Sequence, residues 1–218
     1  IKEKKKDLKL NPDFKKDYCP NLFTWKEFEY LLNIRPLMTD KRVFILDGGG
    51  AYSWGNSASS IDKNCYPPSL LKDLLQKHIC YFRDMSRATE KINDFAKTLE
   101  KKYKKQSDAH LYVCRNPELE HPFGVHYDYV PNVIVQCEGQ TNFKVWDKVE
   151  HISEDNVNLK IDDEPLLDVI MSPGDTIWIP EHYPHHAISI TPRLSVSFPI
   201  QMHEGDDMED RHWFRFEG

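Results

Sequence analysis

The sequence predicts a mainly β protein with helices on its N-terminal side and a β sandwich or barrel as its core. Three observations carry this. From residue 109 onward, short segments rich in Val, Ile, Tyr, Phe and Trp follow one another, and turn residues separate them. Before residue 109, apolar residues recur at helical spacing instead. The chain has 218 residues, 39% of them apolar and 12% aromatic, enough for one substantial core.

The elements are justified in order. Residues 1–20 read as a polar lead-in. A helix starts at "TWKEFEYLLN" (24–33), where Thr24 and Glu27 form a capping box and Trp25, Phe28, Leu31 and Leu32 share a face. "RVFILD" (42–47) reads as a short buried strand. "GGGAYSWGNSASS" (48–60) reads as a loop, and its glycines lack the G-K-[ST] that a phosphate loop needs. Pro67 and Pro68 open a long helical region to about residue 105, broken near Ser86. Leu70, Leu71, Leu74, Leu75, Ile79 and Phe82 lie on its first face, and Ile92, Phe95, Ala96 and Leu99 on its second. Eight strands follow: "HLYVCR", "GVHYDY", "NVIVQCEG", "TNFKVWD", "LLDVIMS", "DTIWIP", "HHAISI" and "RLSVSFPI". The expected organisation is a lead-in and helical region over 1–108, a β core over 109–202 that carries the chemistry, and an acidic tail over 203–218, in one compact unit.

Composition narrows the function classes. The formal charge of −6 argues against a general nucleic-acid binder. No apolar run is long enough to cross a membrane, and no apolar stretch follows the basic "IKEKKKDLKL", so neither an anchor nor a signal peptide is expected. Cys19, Cys65, Cys80, Cys114 and Cys137 are odd in number, widely spaced and free of C-x-x-C, the usage of the cytoplasm or another reducing compartment.

Histidine is unevenly placed: His78 alone precedes residue 109, and nine of ten follow it. In "GVHYDY", His126 and Asp128 stand two apart, which on a strand puts both side chains on one side. "PEHYPHHAISI" (180–190) adds His182, His185 and His186. H-x-D with a later histidine is the arithmetic of a two-histidine, one-carboxylate triad, which holds one face of an octahedral iron(II) and leaves three positions open. A single histidine such as His110, His121 or His151 reads by default as a satisfied polar group. Trp146, Trp178, Tyr183 and Trp213 read as packing residues, and Asp175 as a turn residue.

Region 110–200 resembles the cupin-type, JmjC-like branch of the Fe(II)- and 2-oxoglutarate-dependent oxygenases. The resemblance rests on His126-Tyr127-Asp128, Gln136-Cys137-Glu138-Gly139, Pro173-Gly174-Asp175 leading to Ile179-Pro180, and Tyr183-Pro184-His185-His186, in that order. It implies a double-stranded β-helix, a jelly roll with the site inside its open end. It also implies iron(II) on His126, Asp128 and His185, with 2-oxoglutarate and dioxygen as cosubstrates. The family pattern puts the third ligand five residues after the proline, at His185; His186 would face the other way and His182 lies in the turn.

The resemblance departs at one position. Relatives commonly place a lysine fifteen residues beyond the first histidine to hold the distal carboxylate of 2-oxoglutarate; here that residue is Thr141. Arg193 and Ser195 resemble the R-x-S anchor of other oxygenase branches, and Arg193 offers the fork that a carboxylate fits. Thr141 adds a hydroxyl, and Asn132 matches an asparagine of the asparaginyl-hydroxylase subgroup as a further cosubstrate contact. The implied activity is hydroxylation of a C–H bond, with a protein or peptide side chain favoured over a small molecule or nucleotide. The alternative is a metallo-cupin isomerase or dioxygenase that does not use 2-oxoglutarate; a non-catalytic jelly roll is a third.

Overall fold

The computed structural model of the chain describes residues 11–34, 38, 42–47, 50–53, 66–121, 123–150 and 156–200. Its elements are β1 (Asp13–Lys15), α1 (Trp25–Leu31), β2 (Val43–Asp47), β3 (Gly50–Ser53), α2 (Pro68–Lys77), β4 (Ile79–Phe82), α3 (Glu90–Tyr103), β5 (His110–Cys114), β6 (Asn132–Glu138), β7 (Thr141–Val145), β8 (Leu167–Met171), β9 (Thr176–Ile179), β10 (His185–Ser189) and β11 (Arg193–Pro199). Two sheets form. The larger has the order β1-β9-β6-β11-β5-β4-β2-β3, and the smaller β10-β7-β8. All pairings are antiparallel. This is a jelly roll whose larger sheet is extended by earlier strands.

Sequence alternation decides what each face does. Along β11, Leu194, Val196 and Phe198 enter an apolar core built with the helices: Phe28 and Leu31 of α1, Leu71 and Leu75 of α2, Ile92 and Ala96 of α3. Phe95 and Phe198 meet with ring centroids 4.9 Å apart. The other face of the larger sheet turns toward the smaller one. There Ile134, Ile177 and Ile179 pack with Phe143, Val145 and Ala187. Arg193, Ser195 and Ser197 share this interior side.

Several expectations change. Residues 79–82 are a strand, not a continuation of the helix. α2 ends at His78 in extended backbone (φ −140, ψ 155), and Ile79–Phe82 pairs with β2 and β5. A four-residue apolar run fits either period, and sheet pairing decides it here. The lead-in contributes β1, hydrogen-bonded to β9, and residues 50–53 of the expected loop form β3. Among the described residues, the segment before residue 109 therefore contributes four strands as well as three helices. "GVHYDY" is not a regular strand: His126 makes one isolated bridge to His185, while Tyr127 N–H donates to Asn156 O and Leu159 N–H to Val125 O. The expected helix at 24–33 runs over Trp25–Leu31, with both hydrogen bonds of the Thr24–Glu27 capping box present. Residues 1–10, most of the 48–60 loop, Cys65, His151 and the acidic tail with Trp213 lie outside the described residues.

Candidate active site

His126 and Asp128 sit on the irregular segment before β6, and His185 opens β10. The two histidines are tied by reciprocal backbone hydrogen bonds, His126 N–H to His185 O at 3.0 Å and His185 N–H to His126 O at 2.7 Å. One ligand atom from each of His126, Asp128 and His185 lies within 4.8 Å of the others. His185 Nε2 is 3.6 Å from Asp128 Oδ2.

Each ligand is aimed by its neighbours. His126 Nδ1 is 3.1 Å from Gly124 O, and His185 Nδ1 is 3.0 Å from Tyr183 O. A carbonyl only accepts, so in both rings Nδ1 carries the proton and Nε2 is left with its lone pair for a metal. Burial and then the charge of His185 push His126 down to about 4, so it is neutral, as ligation requires. Asn132 Nδ2 donates to Asp128 Oδ2 at 2.6 Å, and Ser197 Oγ donates to Asn132 Oδ1 at 3.1 Å, which fixes the amide. His182, at φ 65, donates its backbone N–H to Asp128 O at 2.8 Å. Two imidazoles that present Nε2 and a held carboxylate are the donor set of a divalent transition metal with open positions.

Deeper in the interior, Gln136 organises the floor. Its Oε1 accepts from Thr141 Oγ1 and from Ser195 Oγ, each at 3.0 Å, and its Nε2 donates to Glu138 O at 2.7 Å. The two hydroxyl protons are thus directed at the amide. Arg193 differs. It is 2% exposed, and its Nε and Nη2 meet no hydrogen-bond partner among the described residues. It pairs with Cys114 across the ladder, and its charge acts on Tyr112, His121 and His186. A buried guanidinium with two unmatched donors is costly unless an anion meets it, and a carboxylate matches the fork. The residues present therefore fit both a metal and a carboxylate-bearing cosubstrate.

The expected residues thus fall into two groups. His126, Asp128 and His185 come together, and Asn132 directs its amide at Asp128 as well as sharing the interior. Thr141 and Ser195 meet at Gln136, next to Arg193 in the sheet interior. His186 points to the other side of β10, into a cavity of about 650 Å³ that it lines with His121, Gly124, Ile188, Lys77 and His78. The sequence reading named Gln136 only within the resemblance and gave it no role, did not single out Tyr112, and read His121 as a satisfied polar group. His121 is buried with its ring parallel to that of His126, centroids 5.8 Å apart. Only the alternation of β5 and β6 pointed to the first two, and no local pattern marked His121.

A family model described as JmjC domain matches residues 82–208. The bifunctional lysine-specific demethylase and histidyl-hydroxylase NO66 of Drosophila persimilis is 27% identical over 93 residues, 39% of this chain and 14% of that protein. Ribosomal oxygenase 1 of Danio rerio is 22% identical over 118 residues, 51% of this chain and 21% of that protein. The matches therefore cover only a small part of these curated relatives. Among solved structures, the Escherichia coli ribosomal oxygenase YcfD, in complex with cobalt and 2-oxoglutarate, superposes with a TM-score of 0.58 at 16% identity, over 89% of this chain and 49% of that one. That likeness shows the shared fold.

Proposed function

The chain belongs to the JmjC-domain family, and on that premise we propose that it is an Fe(II)- and 2-oxoglutarate-dependent oxygenase that hydroxylates a C–H bond of a protein or peptide side chain. The observation that carries this reading is the Arg193 guanidinium, unmatched among the described residues and enclosed in the same jelly-roll interior as a pre-aimed His126–Asp128–His185 set. Iron(II) supplies coordination positions for 2-oxoglutarate and dioxygen, whose coupled conversion to succinate and carbon dioxide delivers one oxygen atom to substrate. The chain's own part is geometric. His126 and His185 present Nε2, Asn132 and Ser197 keep Asp128 in place, and Arg193 receives the distal carboxylate. Arg193 stands in for the lysine that Thr141 replaces. A protein substrate is supported by relatives named as histidyl-hydroxylase and ribosomal oxygenases. The buried thiols of Cys80, Cys114 and Cys137 support a reducing compartment, the cytoplasm among them.

The engagement of Thr141 and Ser195 with Gln136 favours one second reading, a metallo-cupin enzyme that does not use 2-oxoglutarate. One titration separates the two. Iron(II) is loaded under anaerobic conditions, 2-oxoglutarate is added, and the visible spectrum is recorded for the parent and Arg193→Ala. The oxygenase reading expects a metal-to-ligand charge-transfer band in the parent. In the variant the same band should need far more cosubstrate, a loss of about 2–5 kcal/mol of binding. Iron binding with no band in the parent would establish the second reading instead.

A further inference from the structure

The interior face of the larger sheet carries a second cluster that the metal site does not use. Tyr81 on β4 and Tyr112 on β5 are paired in register, so both lie on that face. Their ring centroids are 4.9 Å apart. Tyr81 OH is 2.6 Å from His110 Nδ1, and His110 Nε2 is 3.1 Å from Asp108 Oδ2. Asp108 is 6% exposed and is held by the Asp84 N–H at 3.0 Å and by Ser86 Oγ. In the tautomer that places the ring proton on Nε2, beside Asp108 Oδ2, Nδ1 has its lone pair toward the phenol and Tyr81 donates. The order is phenol, imidazole, carboxylate.

The second phenol gives this row a direction. Tyr112 stands between Tyr81 and the site: it pairs with Ser195 of β11, its ring centroid is 6.2 Å from that of His121, and His121 lies 5.8 Å from the His126 ring. Burial holds both phenols protonated at neutral pH. A phenol gives up an electron readily only if its proton leaves too, and His110 is a base within hydrogen-bond reach, oriented and charge-compensated by Asp108.

We propose that Tyr81, His110 and Asp108 form a proton-coupled one-electron donor that connects through Tyr112 to the metal centre and discharges an oxidising equivalent formed there when no substrate is in place. The step balances. Tyr81 loses one electron and its O–H bond breaks. The proton forms an N–H bond at His110 Nδ1, and the resulting imidazolium faces Asp108. That electron would pass to an oxidant held by His126, Asp128 and His185. A small diffusible reductant of the ascorbate class later returns one electron to the Tyr81 radical, and His110 returns the proton. The source of the oxidant rests on the oxygenase reading; the redox competence of the triad does not.

The test has two arms on the full chain. In the first, metal-free protein is oxidised by flash-quench photolysis with a ruthenium(II) polypyridyl sensitiser and a cobalt(III) quencher, then frozen for high-field electron paramagnetic resonance. A tyrosyl radical with the g-tensor of a strongly hydrogen-bonded phenoxyl is expected. It should be lost in Tyr81→Phe and shifted to an unbonded g-tensor in His110→Leu. An unchanged radical spectrum in Tyr81→Phe overturns the proposal. In the second arm, iron(II), 2-oxoglutarate and dioxygen are mixed without substrate and freeze-quenched. The same radical should appear, and Tyr81→Phe should inactivate severalfold faster than the parent. Consumption of 2-oxoglutarate with no Tyr81 radical also overturns the proposal. The photochemical radical without any consumption of 2-oxoglutarate overturns the oxygenase reading and leaves the triad standing.

Discussion

The two faces of strand β11 solve opposite problems with alternating residues of one heptapeptide, Arg193–Pro199. Toward the helices, Leu194, Val196 and Phe198 are completely buried among apolar side chains, and that side asks for nothing further. Toward the interior, Arg193, Ser195 and Ser197 are just as inaccessible but polar. Ser197 is satisfied through Asn132 and Ser195 through Gln136, while Arg193 is left with unmatched donors. Equal burial therefore means different things on the two faces. One face stabilises the fold, and the other holds a charge whose partner is not among the described residues.

The difference is sharpest when each face is truncated. Phe198→Ala removes a ring packed against Phe95 and leaves a cavity in the helix-side core. We expect a loss of about 3–5 kcal/mol in denaturant unfolding, with no selective effect on cosubstrate affinity among the molecules that remain folded. Arg193→Met should do the reverse. Without cosubstrate it should leave stability unchanged or raise it by about 1–3 kcal/mol, because an unpaired buried charge is replaced by an apolar chain of similar length. With iron and 2-oxoglutarate at about 100 times the dissociation constant, the parent should gain about 2.7 kcal/mol and the variant little of it. Thermal unfolding with and without cosubstrate reads both effects. A large loss of stability in ligand-free Arg193→Met would mean that the guanidinium is a structural group after all, and the contrast between the faces would fail.

Much of the site could be read from residue order, and the reason is geometric. His126 and Asp128 announce themselves because two positions along extended chain return to the same side, and His185 because it opens a segment of strand composition after a turn. The jelly-roll strands after residue 109 were legible for the same reason. Cross-strand partners were not. Gln136 meets Ser195 across 59 residues and Tyr81 meets His110 across 29, separations set by register, which no local window contains. Asn132 shows the limit within a correct neighbourhood. Its place on the interior side was readable, but its donation to Asp128, four residues back, depends on the bend at Tyr129 and Val130 that alternation does not describe. Residues 79–82 failed more simply, since four apolar residues after a helix carry too little period to separate helix from strand.

The smallest expected effect sharpens the comparison within the interior face itself, where Asp108, unlike Arg193, already has its partners. Burial alone would raise the Asp108 carboxyl, but the contact with His110, then Ser86 and the Ala109 N–H, outweigh it and hold the carboxyl below its ordinary value. A carboxylate held low in the folded state contributes stability that is complete above its unfolded value and is lost as pH falls through the folded one. Asp108→Asn should therefore cost about 1–3 kcal/mol at pH 7, the range for hydrogen bonds to a charged group. The gap between parent and variant should persist at pH 5 and close as the pH falls below about 4, where the unfolded carboxylate takes up its proton. Asp84 works in the opposite sense. Burial and the charge of Asp108 raise it, so removing that charge relieves Asp84 and draws the measured cost toward the lower end of the range. Urea unfolding of both proteins at pH 7, 5 and 3.5 measures the gap. If it stayed constant to pH 3.5, Asp108 would be acting through shape alone, and the charge that backs His110 would have no energetic weight in the folded protein.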